Sequence, residues 1–267
     1  MNKNNNVYIV IYATVMIVIV AVLLSVAAMS LKGRQQANIA VEKQGAILNT
    51  IGLGGDADKV KDKTKYIQDE YAKYIIDSYV VNGLGDRVEG VDAFALLDML
   101  KAEYAKPREE MRLPIFTAKL DDGTVLNILS VYGAGLWGPI WGYLALENDW
   151  DTIYGAVFAH QGETPGLGAE IATPHFADQF RGKTIMSDGE FVSIAVLKGV
   201  GASAGNDHAV DAVSGGTITS RGVETMLYDC LDAYLPFIEK QTAKPSVEIV
   251  PAAVATNVEE NKIESYE

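Results

Sequence analysis

The chain has 267 residues, 49% of them hydrophobic, and a formal net charge of −13. Binding to the phosphate backbone of nucleic acids needs a basic stripe. The 22 Lys and Arg residues are scattered among 35 acidic ones, so no nucleic-acid partner is expected. The length leaves room for one large domain or two small ones beside a membrane segment.

The N-terminal part of the chain is strongly apolar. Val7–Leu31 contains no charged residue, and as a helix it would reach about 37 Å against roughly 30 Å of hydrocarbon. This segment predicts a transmembrane helix over residues 7–31, surrounded by membrane lipid. Residues 1–6 are expected to form a short N-terminal tail before it. A cleaved signal peptide is the alternative, but its apolar region is usually about 7–15 residues long.

The charges beside this segment favour a cytoplasmic position for the rest of the chain. One flank offers the amino group and Lys3, and the other offers Lys32, Arg34 and Lys43. The positive-inside rule places the more basic flank in the cytoplasm. Because the excess is small and long domains are translocated regardless of charge, the rule does not decide the side.

Residues 32–110 are expected to form a juxtamembrane helical region of the soluble domain. Helical stretches are predicted at Asn38–Leu53, Asp58–Asn82 and Val91–Lys106, the last of them stopped by Pro107.

From residue 111 the sequence changes to short runs rich in β-branched and aromatic residues, which predict strands. These runs are Ile115–Leu120, Val125–Val131, Ile140–Leu146, Ile153–His160 and Phe191–Leu197. An amphipathic helix over Thr219–Lys240 closes the domain of residues 111–242, and prolines and acids predict a flexible acidic tail over 243–267. The order of elements indicates an α+β fold, with a transmembrane helix followed by one soluble domain that has a mixed or antiparallel sheet and flanking helices.

The cysteine and histidine residues offer little chemistry. A single cysteine, Cys230, excludes an intramolecular disulfide, and its place in the amphipathic helix predicts a buried apolar residue. No pair among His160, His175 and His208 has a recognised ligand spacing, so no metal site is predicted.

Gly133-Ala-Gly-Leu-Trp-Gly138 fits the G-x-G-x-x-G spacing of dinucleotide-binding folds. That interpretation needs a crossover helix after the glycines. Pro139 and a strand-like run follow instead, so it is rejected. Two alternatives stay open: a hairpin with Trp137 in the core, and a close backbone approach that a flat ligand could use.

Two further loops contain polar groups. His160–Gly168 brings Glu163 and Thr164 together with Pro165, Gly166 and Gly168, as either a turn or a functional loop. Gly201-Ala-Ser-Ala-Gly205 fits the G-x-S-x-G pattern of hydrolases, but no helix is predicted to follow, which indicates a chance match.

Asp211-Ala-Val-Ser-Gly-Gly-Thr217 leads directly into the last predicted helix. The free N–H groups and the macrodipole at a helix N-terminus favour phosphate. An ordinary Ser/Thr cap with a glycine turn explains the same residues equally well. The physical argument leaves both interpretations open.

This segment resembles the flavinylation motif Asp-x-x-Ser/Thr-Gly-Ala-Thr, in which a flavin transferase joins FMN, with FAD as donor, to the last threonine through a phosphoester. The apolar helix, the Gly-Leu-Trp-Gly loop and the Glu-Thr-Pro-Gly-Leu-Gly loop resemble the same family in the same order. That family is the C subunit of the Na⁺-translocating NADH:quinone oxidoreductase. The resemblance covers the chain up to about Ala243. Gly216 departs from it, since the family usually has alanine there.

The resemblance implies a covalent FMN on Thr217. Trp137 and Leu167 would then pack on the isoalloxazine, Glu163 and Thr164 would contact its polar edge, and Lys198 would be its positive neighbour. The other implied residues are Asp211, Ser214, Gly215 and Gly216 of the motif, with Gly168 and Thr219 beside the cofactor.

The resemblance also implies a function without catalytic residues on this chain. It would be an electron-transfer component of an enzyme that oxidises NADH, reduces ubiquinone and exports Na⁺, with subunits A, B, D, E and F and a maturation-stage flavin transferase as partners. The chain would cross the bacterial inner membrane once, with its domain on the periplasmic side, against the charge count. The alternatives are the G subunit of an Rnf-type electron transport complex and a membrane-tethered module that binds FMN non-covalently.

Overall fold

The computed structural model describes residues 6–243, so the two predicted tails, 1–6 and 243–267, lie outside it except for their inner ends. Within this range the α-helices are α1 (Asn6–Thr50), α2 (Lys63–Tyr74), α3 (Ala93–Leu96), α4 (Leu100–Glu103), α5 (Pro174–Ala177) and α6 (Thr217–Thr242). The strands are β1 (Ile75–Val81), β2 (Arg87–Val88), β3 (Leu113–Lys119), β4 (Val125–Ala134), β5 (Pro139–Leu146), β6 (Ile153–His160), β7 (Met186–Ser187), β8 (Glu190–Phe191), β9 (Ala195–Leu197) and β10 (Ala209–Asp211). Short 3₁₀ turns lie at Ala57–Lys59, Arg108–Glu110, Gly168–Ala172 and Asp178–Phe180.

One continuous helix, α1, joins the apolar segment to the folded domain. The helices predicted at 7–31 and from Asn38 are both part of it, because no proline separates them and Gly33 alone does not stop a helix. Its most apolar 18 residues have a mean hydropathy of 3.0 and are wholly exposed, and among the described residues it is the one helix long and apolar enough to cross a membrane. Burial against the domain begins at Gly45. The helix ends at Thr50, just before Gly52 takes a φ of +77°.

The domain is built on a six-stranded antiparallel sheet, which confirms the α+β class. The strand order is β2-β1-β3-β4-β5-β6. Both faces of the sheet are covered. Successive residues of a strand point to opposite faces, so each strand contributes side chains to two apolar cores, one on each face. Ile115 faces the core shared with α6, whereas Phe116 faces the core shared with the end of α1 and with α2, α3 and α4.

Three element predictions were wrong. Asp58–Asn82 was expected to be one helix, but α2 stops at Tyr74 and Ile75–Val81 forms β1, whose β-branched residues pair with β3. Val91–Lys106 divides into α3 and α4. Phe191–Leu197 divides between β8, which pairs with β7, and β9, which pairs in parallel with β10, and Ser193 lies between them with a φ of +60°.

Helix α6 lies across the sheet and fixes the C-terminal part of the domain. Its residues Val223, Met226 and Leu227 are buried against the core. Cys230 on the same face is 1% exposed, which confirms the predicted buried residue, and burial raises the pKa of its thiol to about 12. The N-terminus of α6 therefore has a fixed position relative to the ends of β4 and β6.

Candidate functional site

Three loops meet at the N-terminus of α6. The first is the β4–β5 turn at residues 135–138, the second follows β6 over residues 161–168, and the third joins β10 to α6 over residues 212–216. In the first, the N–H of Gly135 donates to the carbonyl of Gly138 at 2.8 Å, closing an antiparallel hairpin. This geometry agrees with the rejection of a dinucleotide-binding fold.

Glu163 joins the first two loops to the helix. Its side chain is buried, with 5% exposure. Its Oε1 accepts the backbone N–H of Trp137 at 2.8 Å, and its Oε2 accepts the hydroxyl of Thr219 at 2.6 Å. Its own N–H donates to Nδ1 of His160 at 3.2 Å. Both carboxylate oxygens thus have protein partners within the site.

Two glycines leave the space that this carboxylate occupies. A Cβ at Gly135 would clash with Oε1 of Glu163. A Cβ at Gly168 would clash with Oε2 of Glu163 and lie 2.5 Å from the Thr219 hydroxyl oxygen. Real Cβ atoms essentially never approach other heavy atoms this closely. Both positions therefore require glycine for the carboxylate to reach its partners.

The start of α6 has no side-chain cap. Its N-cap residue is Gly216, and no side chain among the described residues accepts a hydrogen bond there as a cap. The Ser220 hydroxyl oxygen instead accepts the N–H of Val213 at 3.1 Å, while Ser214 and Thr217 are exposed. Because the first N–H groups of a helix lack intrahelical acceptors, those of α6 are available to an anion such as phosphate.

Asp211 fixes a further loop beside the same helix. Its carboxylate accepts the N–H of Ser203 at 2.8 Å and the N–H of Gly201. These hydrogen bonds hold the pKa of Asp211 below its ordinary value. The one acidic residue of the motif thus ties residues 199–205 to the end of β10. No helix follows Ser203 in this loop, so the nucleophile-elbow pattern there is a chance match.

Three apolar side chains of these loops and of the start of α6 are exposed. Trp137 is 67% exposed, so it is not the core residue of the hairpin alternative, and Leu167 and Ile218 are 43% and 59% exposed. Leu167 lies directly over Gly215, where an added Cβ would come within 2.5 Å of its Cδ2. A flat apolar ring could cover these surfaces.

Thr164 is exposed in the second loop, at the rim of the site, and Lys198 is exposed just after β9. Lys198 directly follows Leu197, which pairs with Asp211 in the β9–β10 ladder. Residues that the sequence did not single out include Ile218 and Gln179, whose Oε1 accepts the N–H of Asp211 at 2.8 Å.

Comparison with known proteins matches this region to a cofactor-binding family. Residues 135–232 match the FMN-binding domain model, which begins in the first loop and ends within α6. The C subunit of the Na⁺-translocating NADH-quinone reductase of Vibrio vulnificus is 34% identical over 223 residues, covering 76% of this chain and 82% of the relative. The chain belongs to this family, NqrC.

Other members extend the agreement to most of the chain. The NqrC of Neisseria meningitidis is 31% identical, covering 83% of this chain and 89% of the relative. The NqrC crystal structure from Parabacteroides distasonis is 41% identical, with a TM-score of 0.66, and covers 78% of this chain and 96% of that one. The Shewanella oneidensis NqrC structure is 27% identical, with a TM-score of 0.63, and covers 77% and 98%.

Membership in the NqrC family confirms several expectations. The chain is a flavoprotein component of an NADH-quinone reductase, an oxidoreductase complex, and its domain binds FMN. The apolar part of α1 together with the family indicates a membrane-anchored protein. The relatives described above are NqrC proteins, which favours this family over the Rnf-type G subunit.

Proposed function

We propose that this NqrC carries FMN on Thr217, joined through the phosphate, and relays electrons from NADH toward ubiquinone in a complex that exports Na⁺. The observation that supports this most directly is the position of Thr217. It is the first residue of α6, it is exposed, and its hydroxyl makes no hydrogen bond to any described residue.

The residues around Thr217 fit an FMN group. The uncapped N–H groups of α6 and the helix dipole would bind the phosphate. The exposed faces of Trp137, Leu167 and Ile218 would pack on the ring system. Ser214 and Thr164 are exposed at the rim, where they would offer hydroxyl groups.

Once bound, FMN supplies the electron transfer, and the protein positions and tunes it. Lys198 would favour the anionic reduced flavin, since a cation stabilises nearby negative charge. The buried carboxylate of Glu163 would oppose that effect. No proton-transfer pair is required of this chain, so we assign no catalytic acid or base.

The attachment is tested by co-expressing the full chain with a flavin transferase and viewing a denaturing gel under ultraviolet light. After labelling has gone to completion, the expected result is a fluorescent band for the wild type and for Thr219→Ala, and a dark band for Thr217→Ala. A dark wild-type band would support the alternative of non-covalent FMN. Fluorescence that persists in Thr217→Ala but disappears in Thr219→Ala would show that FMN is attached to Thr219 and not to Thr217.

We also propose that α1 crosses the bacterial inner membrane once and places the domain on the periplasmic side, among subunits A, B, D, E and F. The family resemblance supports this side, and the charges of Lys32, Arg34 and Lys43 oppose it only weakly. Protease added to intact spheroplasts should digest the domain. Complete protection, with digestion only after lysis, would place the domain in the cytoplasm.

A further inference from the structure

Among the described residues, Glu163 is the point where the Trp137 loop and the first turn of α6 are joined by side-chain hydrogen bonds. Its Oε1 accepts from Trp137 N–H and its Oε2 accepts from the Thr219 hydroxyl, across 26 and 56 residues of sequence. Thr219 is itself buried, with 1% exposure. The two contacts therefore link an aromatic loop to the helix turn that begins at Thr217.

Both oxygens of this carboxylate are already engaged, and a glycine lies against each of them. A Cβ at Gly135 would clash with Oε1, and a Cβ at Gly168 would clash with Oε2. A hydrogen bond to a charged group is stronger than one between neutral groups, and a buried carboxylate that loses a partner is strongly disfavoured. Losing either partner would therefore free one of the two elements that the carboxylate joins.

We propose that Glu163 is a positioning residue, which couples the orientation of the Trp137 loop to the first turn of α6 through Thr219. The loop that packs on the ring and the helix turn that carries the phosphate are thereby held in one relative arrangement before flavin transfer. This role rests on the proposed function, since it assigns Trp137 to the ring and Thr217 to the phosphate.

The coupling can be measured without any flavin. In the full chain purified in detergent from cells lacking a flavin transferase, hydrogen exchange at the Trp137 amide reports the Glu163 bond directly. We expect Glu163→Ala to accelerate that exchange by at least about tenfold. Thr219→Val removes the hydroxyl that holds the other oxygen, so it should accelerate exchange at Trp137 about threefold or more, although no hydrogen bond joins Thr219 to Trp137.

Conservative variants separate position from charge. Glu163→Gln keeps an acceptor for Trp137 and offers its amide to the Thr219 oxygen, and Thr219→Ser keeps the donor. Both should stay within about twofold of the wild type in Trp137 exchange. Gly162→Ala in the same loop is the matched control, because an added Cβ meets nothing within 4 Å there, and it should leave exchange unchanged.

The second measurement is the initial rate of covalent FMN transfer from FAD by the transferase. Glu163→Ala and Thr219→Val should slow it by about tenfold, while the conservative variants and the control keep the wild-type rate. Unchanged Trp137 exchange in Thr219→Val would overturn the coupling. Glu163→Gln behaving like Glu163→Ala would show that charge, not position, matters. A wild-type chain that accepts no covalent FMN would refute the proposed function, and the exchange measurement would still decide the coupling.

Discussion

Two glycines inside helices are expected to respond in opposite directions to alanine. Gly45 lies in α1 and Gly222 in α6, and an Ala in either helix would gain about 1 kcal/mol of helix propensity over Gly. At Gly45 the new Cβ would lie 3.5 Å from the Cδ1 of Ile67, an ordinary van der Waals contact. At Gly222 it would lie well under 3.0 Å from the backbone carbonyl oxygen of Ala134.

The difference in stability follows from these contacts. Gly45→Ala should stabilise the domain by about 1 kcal/mol, because the propensity gain has no opposing cost. Overpacking costs about 1–3 kcal/mol, and a strand carbonyl cannot rotate away, so Gly222→Ala should reach the upper end. Its net effect is then a destabilisation of about 2 kcal/mol. For a domain of this size, 1 kcal/mol corresponds to about 2–4 °C in Tm.

Thermal unfolding of the full chain in detergent, followed by tryptophan emission, measures both effects. The Tm of Gly45→Ala should rise by about 2–4 °C and that of Gly222→Ala should fall by about 4–8 °C. Gly222 sets the approach of α6 to Ala134, beside the loop of Trp137. Gly222→Ala should therefore also take up covalent FMN more slowly, with Gly45→Ala as the matched control. A Gly222→Ala chain as stable and as readily labelled as the wild type would refute this account of helix packing.

Three shorter predictions concern single side chains. The fold lowers the pKa of the Asp211 carboxyl from its ordinary value of 3.8. The hydrogen bonds that this carboxylate accepts from residues 201 and 203 are therefore fully formed above pH 3.8, and they are lost only as the pH falls below that value. Amide exchange in the 199–205 loop, corrected for intrinsic rates, should therefore stay constant from pH 7 to about 4. In Asp211→Asn the amides of this loop should exchange faster at pH 7 than in the wild type. Equal rates in the two proteins would refute the anchoring of the loop by Asp211. Lys198→Gln should lower the flavin reduction potential, and added salt should make this decrease smaller. Lys198→Arg should leave the potential unchanged. An equal, salt-independent decrease in both variants would point to a structural effect instead of a charge effect. Cys230 should react with a maleimide only as fast as the domain unfolds, since its thiol is buried and its pKa is about 12; rapid labelling of the native chain would contradict the burial.

The sequence predicted the sheet well where consecutive strands are joined by short turns into hairpins. The runs that became β4, β5 and β6 were found because short turns separate β-branched segments, and β6 matches its predicted bounds of Ile153–His160. Ile75–Val81 was missed because it follows α2 without a turn signal. Its strand conformation depends on pairing with Leu113–Lys119, which is distant in sequence.

The site was predicted in parts, and its internal geometry was not. The resemblance placed Thr217 and Trp137 in one site, and it implied a ring contact for Glu163. The engagement of both Glu163 oxygens depends on two loops and the first turn of α6, which meet only in the folded chain. Likewise, the bonds from Asp211 to the 199–205 loop carry no signal in the sequence, because backbone N–H groups are present at every non-proline residue.

The structure argues against one of the two interpretations of the segment before α6 that the sequence left open, the ordinary Ser/Thr cap. An ordinary cap would use one of the hydroxyls at the helix start, but the N-cap position belongs to Gly216, which has no side chain. Thr219 donates its hydroxyl to Glu163, and the Ser220 oxygen accepts from Val213. Thr217 is thus the one residue of the first helical turn whose hydroxyl is exposed and without a hydrogen-bond partner among the described residues. Since the N–H groups of that turn have no side-chain cap, a phosphate on Thr217 would satisfy donors that the fold leaves open.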